Sequence, residues 1–145
     1  INNNVKKQIQ NEIKYGLHKF KNYKKLSNNV QRSRKNLLKI LQKIKNNGKK
    51  IAGYGATAKT VTILNYCNIN KDLIQNFIDI TPEKINRYMP GKKIKILKYN
   101  RNILNNYDYI FLGAWNFKEE IFNKEKKFIK RGGKFITHIP QPKII

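Results

Sequence analysis

Apolar residues in the first fifty positions recur at helical spacing. Ile9, Ile13, Leu17 and Phe20 fall on one helix face, and Val30, Leu37, Leu41 and Ile44 line a second stripe. Ser27 to Asn29 offer side chains that cap a helix amino terminus. Gly48 follows the last apolar turn, where a left-handed residue commonly ends a helix. The pattern predicts one or two leading helices over residues 1–48 that feed into a domain and brace it. From Lys50 the pattern changes to short apolar runs separated by turn residues, the mark of an alternating α/β chain. It predicts strands at Ile51 to Tyr54, Ile74 to Asp79, Asp108 to Ala114 and Lys134 to Thr137. Helices are expected near Thr57 to Tyr66, Arg101 to Asn105 and Phe117 to Lys130, with Gly132-Gly133 turning the chain into the last strand. The segment from Ile80 to Leu97, with Pro82, Pro90 and Gly91, is too rich in Pro and charge for a regular element. It is also too long for a simple connection, and loops of that length are often functional.

Strands that are apolar nearly throughout, such as Tyr109-Ile110-Phe111-Leu112, suit a parallel sheet covered by helices on both faces. The expected architecture is therefore α/β: a Rossmann-like three-layer domain with a mostly parallel sheet over residues 49–145, preceded by the leading helices. Ligands of such sheets bind at the carboxyl ends of the strands. Gly53 to Lys59, Asp79 and Ala114 to Phe117 fall at those ends.

The 145 residues allow one ordinary domain with an appended helix or two. The chain opens with Ile1 and a polar stretch, so the start reads as a cut in a longer product. A net charge of +24 raises nucleic acid as a partner, because clustered cations neutralise backbone phosphates. The excess is carried by Lys far more than by Arg, with abundant Asn and Ile, as an AT-rich coding sequence would produce. A solvated lysine surface, or one balanced by an acidic partner, is favoured over a specific nucleic-acid face. No apolar run approaches the roughly 20 residues a membrane span requires, and none follows the basic start as in a secretory signal. The expectation is a cytoplasmic protein with no membrane partner. Cys67 is alone, so no internal disulfide or zinc cluster is expected and a core thiol is the plain reading.

Gly53-Tyr54-Gly55-Ala56-Thr57-Ala58-Lys59 joins the first strand to a helix and fits the G-x-G-x-x-A nucleotide-binding turn. Its glycines would let the backbone approach a phosphate, whose charge a helix amino terminus stabilises. Lys59 opposes the helix dipole, which points to a compensating anion such as a diphosphate; close strand-helix packing explains the glycines equally well. Asp79 ends the second strand where a dinucleotide fold places the acid that bonds ribose hydroxyls, though a turn-capping Asp fits as well. By pattern alone this favours NAD or another nucleoside, and an NAD-binding oxidoreductase domain is the alternative reading. Trp115 could cover a base or sugar ring while Asn116 fixes polar groups; a packing Trp with an Asn helix cap is the other account. His138 ends the last strand near the crevice, but no orienting partner accompanies it. No Ser-His-Asp, Cys-His or metal-ligand cluster can be assembled, so the module reads as a binder.

Taken in order, several stretches resemble the carboxy-terminal domain of the sugar C-methyltransferases. They are Gly53 to Lys59, Leu64-Asn65-Tyr66-Cys67, Asp79 with Pro82 and Lys84, and Arg87-Tyr88-Met89-Pro90-Gly91. Ala114-Trp115-Asn116-Phe117 with Glu120-Ile121, and Gly132-Gly133-Lys134-Phe135 before Ile139-Pro140, complete the set. The resemblance runs from about Leu17 to the end. It implies a nucleotide-linked keto-deoxysugar substrate held between this domain and an upstream domain of the same polypeptide, which binds S-adenosylmethionine; no cofactor is expected within this chain. It also implies that Gly53, Tyr54, Gly55, Ala56 and Lys59 face the nucleotide diphosphate instead of NAD. Asp79 belongs to the same substrate-binding set, with Tyr88, Pro90, Gly91, Trp115 and Asn116 shaping the sugar side. The catalytic base is expected upstream. Thr60 stands where the family commonly has glycine, and His138 where a small or apolar residue is usual.

Overall fold

The computed structural model describes residues 2–145; Ile1 lies outside them. The chain divides into two compact units, Ile1–Ser33 and Arg34–Ile145. The first helix, α1 (Asn3–Lys14), is capped by the Asn2 side chain, which accepts from the Asn4 amide at 3.0 Å. The chain then turns through Tyr15 to Lys19, with Asn22 Nδ2 donating to the Gly16 carbonyl at 2.8 Å, before the long helix α2 (Phe20–Asn46). The expected stripe of Ile9, Ile13, Leu17 and Phe20 is thus split, because Leu17 lies in the turn and Phe20 opens the next helix. Ser27 to Asn29 do not cap; they sit inside α2, where unbroken helical periodicity outweighs a weak local preference for caps. The helix ends as expected before Gly48, whose φ of +69° is the left-handed region. Leu37, Leu41 and Ile44 of α2 are buried in the core of the second unit, so the division falls inside this helix, ahead of residue 48.

The second unit carries a six-stranded sheet of order β3-β2-β1-β4-β5-β6, with β1 (Ile51–Tyr54), β2 (Asn76–Asp79), β3 (Lys95–Lys98), β4 (Tyr109–Leu112), β5 (Lys134–Thr137) and β6 (Lys143–Ile144). All pairings are parallel except β5 with β6. Helix α3 (Ala58–Cys67) connects β1 to β2. The expected helix near Arg101 is a short 3-10 turn, Ile103–Asn106. The single helix expected over Phe117 to Lys130 is a 3-10 turn (Trp115–Phe117), then α4 (Lys118–Lys124) and α5 (Lys126–Lys130), broken at Glu125.

Two strands escape the sequence reading. β3 begins inside the segment taken as irregular and ends one residue beyond it; it is an edge strand whose lysines at both ends hide its pattern, and lysine is how natural edges discourage further pairing. β6 is two residues long and closes the opposite edge. β1 and β5 run over the expected residues, whereas β2 and β4 are shorter, the flanking Ile74, Gln75, Asp108, Gly113 and Ala114 lying outside the strands.

Alternation along each strand sends side chains to two cores, one on each sheet face. Ile51, Phe77, Phe111 and Ile136 meet α2 and α3; Ala52, Tyr54, Ile78, Ile110, Leu112 and Phe135 meet Ile121 and Phe128. Gly53 pairs with Phe77 on one side and Phe111 on the other, and the two rings meet edge to face at 6.4 Å. A Cβ at Gly53 would lie within the Phe77 ring contact shell, at 2.1 Å. The glycine is there so that aromatic rings can close over the central strand.

Candidate functional site

Strand order reverses at β1, which has β2 on one side and β4 on the other, both parallel to it. The crevice at such a switch point is the expected ligand position. A cleft of about 290 Å³ opens there, lined by Tyr54, Thr57, Asp79, Lys84, Tyr99 and Phe117 among others, with Lys124 at its wall. Three aromatic rings and two ammonium groups therefore share one hollow. Lys124 Nζ sits 3.9 Å from the centre of the Tyr99 ring, and Tyr99 meets Tyr54 edge to face at 5.9 Å.

The first part of the glycine turn beside this cleft is satisfied by its own protein. Gly55 has a φ of +87°, and a Cβ on it would lie 2.5 Å from that of Ala114. Its amide donates to the Ile78 carbonyl at 2.8 Å. The Ala56 amide donates to Asp79 Oδ2 at 2.7 Å, and Thr81 N donates to Oδ1 at 2.9 Å. Lys84 Nζ approaches the same carboxylate at 3.7 Å. Burial would raise the Asp79 carboxyl, but the Thr81 and Ala56 donors and the Lys84 charge outweigh it and hold the group below the usual range. Thr57 caps α3 by accepting from the Thr60 amide at 3.2 Å, and the buried Thr60 hydroxyl donates to the Gly55 carbonyl at 3.2 Å. Thr60 also fills the space beside Gly113, where an added Cβ would meet its hydroxyl. The Thr60 side chain is thus accommodated within the turn.

This arrangement does not favour the NAD reading, because the acid that would hold ribose is only 8% exposed and bonds the turn itself. Nor is the turn an open cradle for S-adenosylmethionine: the Ala56 donor is taken and Ala114 stands against Gly55.

The remaining residues singled out by sequence fall into separate groups. Lys59, Trp115 and Asn116 come together from opposite ends of the domain sequence: Lys59 Nζ donates to Asn116 Oδ1 at 3.1 Å and lies 5.3 Å from the Trp115 ring centre. Asn116 thus binds the lysine, and no side-chain cap bond ties it to α4. Tyr88 and Pro90 line a second groove of about 270 Å³ with Ala56, Ala58, Val61 and Lys84; neither Trp115 nor Asn116 lines it. Gly91 packs on Asn65, whose Nδ2 donates to the Pro90 carbonyl at 3.1 Å. Gly53 lies under Phe77, away from any opening. Phe117 lies at the sheet edge where the sequence places it, whereas Tyr99 and Lys124 join the cleft without a sequence signal. Tyr99 follows the unrecognised strand β3, and Lys124 looked like one lysine among many.

His138 is buried and stacked on Phe111 at 5.3 Å, so it does not reach the crevice. Burial pushes it down to about 4 and keeps it neutral. Cys67 is a buried thiol, raised by burial. Among the described residues no group of acidic, histidine or cysteine side chains could hold a metal, and no helix is long and apolar enough to cross a membrane.

Residues 1–140 match the family described as the C-methyltransferase C-terminal domain. C-methyltransferase NovU of Streptomyces niveus is 30% identical over 141 residues, which cover 97% of this chain and 34% of that relative. The chain spans about a third of the length of the curated relative it matches. Because the match runs through the leading helices, the glycine turn, the cleft and nearly all of the sheet, the chain belongs to the C-methyltransferase C-terminal domain family.

Proposed function

We propose that this chain is the substrate-holding part of an S-adenosylmethionine-dependent C-methyltransferase that acts on a nucleotide-linked keto-deoxysugar in the cytoplasm. S-adenosylmethionine and the proton-removing base belong to another part of the same protein. The reaction class needs a base to take a proton from the carbon beside the sugar ketone, after which that carbon attacks the sulfonium methyl. This chain contributes binding and orientation, and no side chain in it is assigned the proton.

The observation that carries the reading is the cleft at the switch point. Ring faces of Tyr54, Tyr99 and Phe117 beside the ammonium groups of Lys84 and Lys124 suit a flat base joined to a phosphate chain. The Lys59-Asn116-Trp115 cluster supplies a further cation, already oriented, with a ring and an amide next to it. The diphosphate is drawn by side-chain ammonium groups more than by the glycine turn, whose Ala56 amide is occupied. The exposed apolar residues of the leading helices, among them Ile9, Ile13, Phe20, Tyr23 and Leu26, offer a face for the rest of the protein, and an acidic surface there would balance the net charge of +24.

The test uses full-length protein titrated with dTDP-glucose and, separately, with S-adenosylmethionine. Lys59→Ala and Trp115→Ala are each expected to weaken the sugar nucleotide roughly fivefold, the scale of one charged or stacking contact, and to leave S-adenosylmethionine affinity unchanged. Unchanged sugar-nucleotide affinity in both variants overturns the assignment.

A further inference from the structure

Behind the cleft lies a buried carboxylate that no step above uses. Glu125 sits at the break between α4 and α5, where φ of −100° and ψ of 25° turn its side chain inward, and it is 5% exposed. Among the described residues no Lys or Arg forms an ion pair with it. Its partner is a phenol: Tyr54 Oη donates to Glu125 Oε1 at 3.1 Å. Burying an unpaired carboxylate is costly unless its oxygens are well bonded. A glutamine or leucine would fill the same space at lower cost.

The placement of the carboxylate accounts for that cost. Glu125 does not line the cleft; it lines the neighbouring basic hollow of about 730 Å³, and Tyr99 and Lys124 form the wall common to both. Tyr54 is held from behind at its hydroxyl, and Tyr99 meets the Tyr54 ring edge to face. Burial, reinforced by the nearby Glu125 charge, pushes Tyr99 up to about 12, and burial with the same charge pushes Tyr54 higher still. Tyr99 in turn sits beneath the Lys124 ammonium. One carboxylate therefore anchors a run of contacts ending at a cation of the cleft wall.

We propose that Glu125 is a positioning residue, fixing the Tyr54 and Tyr99 rings from behind and so setting the shape of the cleft that they wall. The effect on ligand rests on the sugar-nucleotide reading above; the effect on the rings does not. Glu125→Gln retains an acceptor for Tyr54, whereas Glu125→Ala retains none.

The test is ring-flip NMR on full-length protein carrying ¹³C-tyrosine, with Tyr107 as an internal control; its hydroxyl accepts from Asn76 in the same core and does not touch Glu125. Slow flips of Tyr54 and Tyr99 are expected in the wild type and in Glu125→Gln. In Glu125→Ala both should average while Tyr107 stays slow. Alongside, Glu125→Ala should raise the Kd for dTDP-glucose roughly fivefold, as loss of one hydrogen bond would, with Glu125→Gln close to wild type. Rings equally ordered in Glu125→Ala overturn the proposal. So does loosening that includes Tyr107, which marks a merely structural role, and so does ring loosening with unchanged Kd. A wild type with ordered rings that binds no dTDP-glucose defeats the substrate reading and leaves the ring result to decide the positioning role. If Glu125→Ala does not fold, Tyr54→Phe removes the hydrogen bond and keeps the ring. An unchanged Tyr99 flip rate in that variant overturns the proposal, and a faster one supports it.

Discussion

The turn after β1 and the cleft beside it are neighbours at the carboxyl edge of the sheet, yet they are built on opposite plans. In the turn, the amides nearest the strand have protein partners: Ala56 bonds Asp79, Gly55 bonds Ile78, and Thr57 bonds Thr60. Its glycines are required by Phe77 and Ala114, which press against them. In the cleft, side chains from β1, the segment after β3 and α4 converge on space that the protein leaves open. The same strand end serves both, since Tyr54 is the last residue of β1 and a wall of the cleft. A glycine-rich turn thus builds the edge of the cleft while its glycines serve packing.

The largest expected effect comes from filling the turn. Gly53→Val should destabilise the domain by at least about 3 kcal/mol, because the added carbons overlap the Phe77 ring and the central strand cannot yield. Urea denaturation measures this; a normally stable variant with lost ligand affinity would instead make Gly53 a contact residue.

Asp79→Ala comes next. It strands the amides of Ala56 and Thr81, for a loss of about 2–3 kcal/mol at neutral pH. The folded carboxyl lies below its unfolded value, so its contribution is present above the usual carboxylate pKa and fades as pH falls through the folded one. The difference between wild type and variant should accordingly shrink in acid. A constant difference at every pH would separate the turn's stability from this charge.

His138 gives the smallest effect. Its folded value of about 4 lies below the ordinary 6.5, so neutral His138 favours the fold above pH 6.5 and that contribution is lost progressively as pH falls toward 4. His138→Phe should reduce the loss of stability between pH 7 and pH 4.5 by about 2 kcal/mol. An unaltered acid profile would mean that the imidazole is protonated in the folded protein.

The architecture was legible because parallel strands buried on both faces carry strong signals: Ile51 to Tyr54 and Tyr109 to Leu112 are apolar nearly throughout, and Gly48 stops α2 where its pattern ends. The edge strands were not, since β3 is framed by lysines and β6 has two residues. The break at Glu125 was invisible because no Gly or Pro marks it; the helix bends where a carboxylate turns inward toward Tyr54. In the site, pattern alone located the sheet edge and the pieces Lys59, Trp115 and Asn116. It could not reveal that Asp79 bonds the turn or that Tyr99 and Lys124 stack, because both depend on contacts between residues far apart in the chain.

The central claim is that a sugar nucleotide lies in the cleft at the β1 switch point. Chemical-shift mapping on full-length protein with dTDP-glucose tests it most directly. The account predicts the largest changes at Tyr99, Phe117, Lys84 and the Trp115 indole, with Gly53 little moved. Changes confined to the basic hollow around Lys126 and Lys127, or none anywhere in this domain, would contradict it.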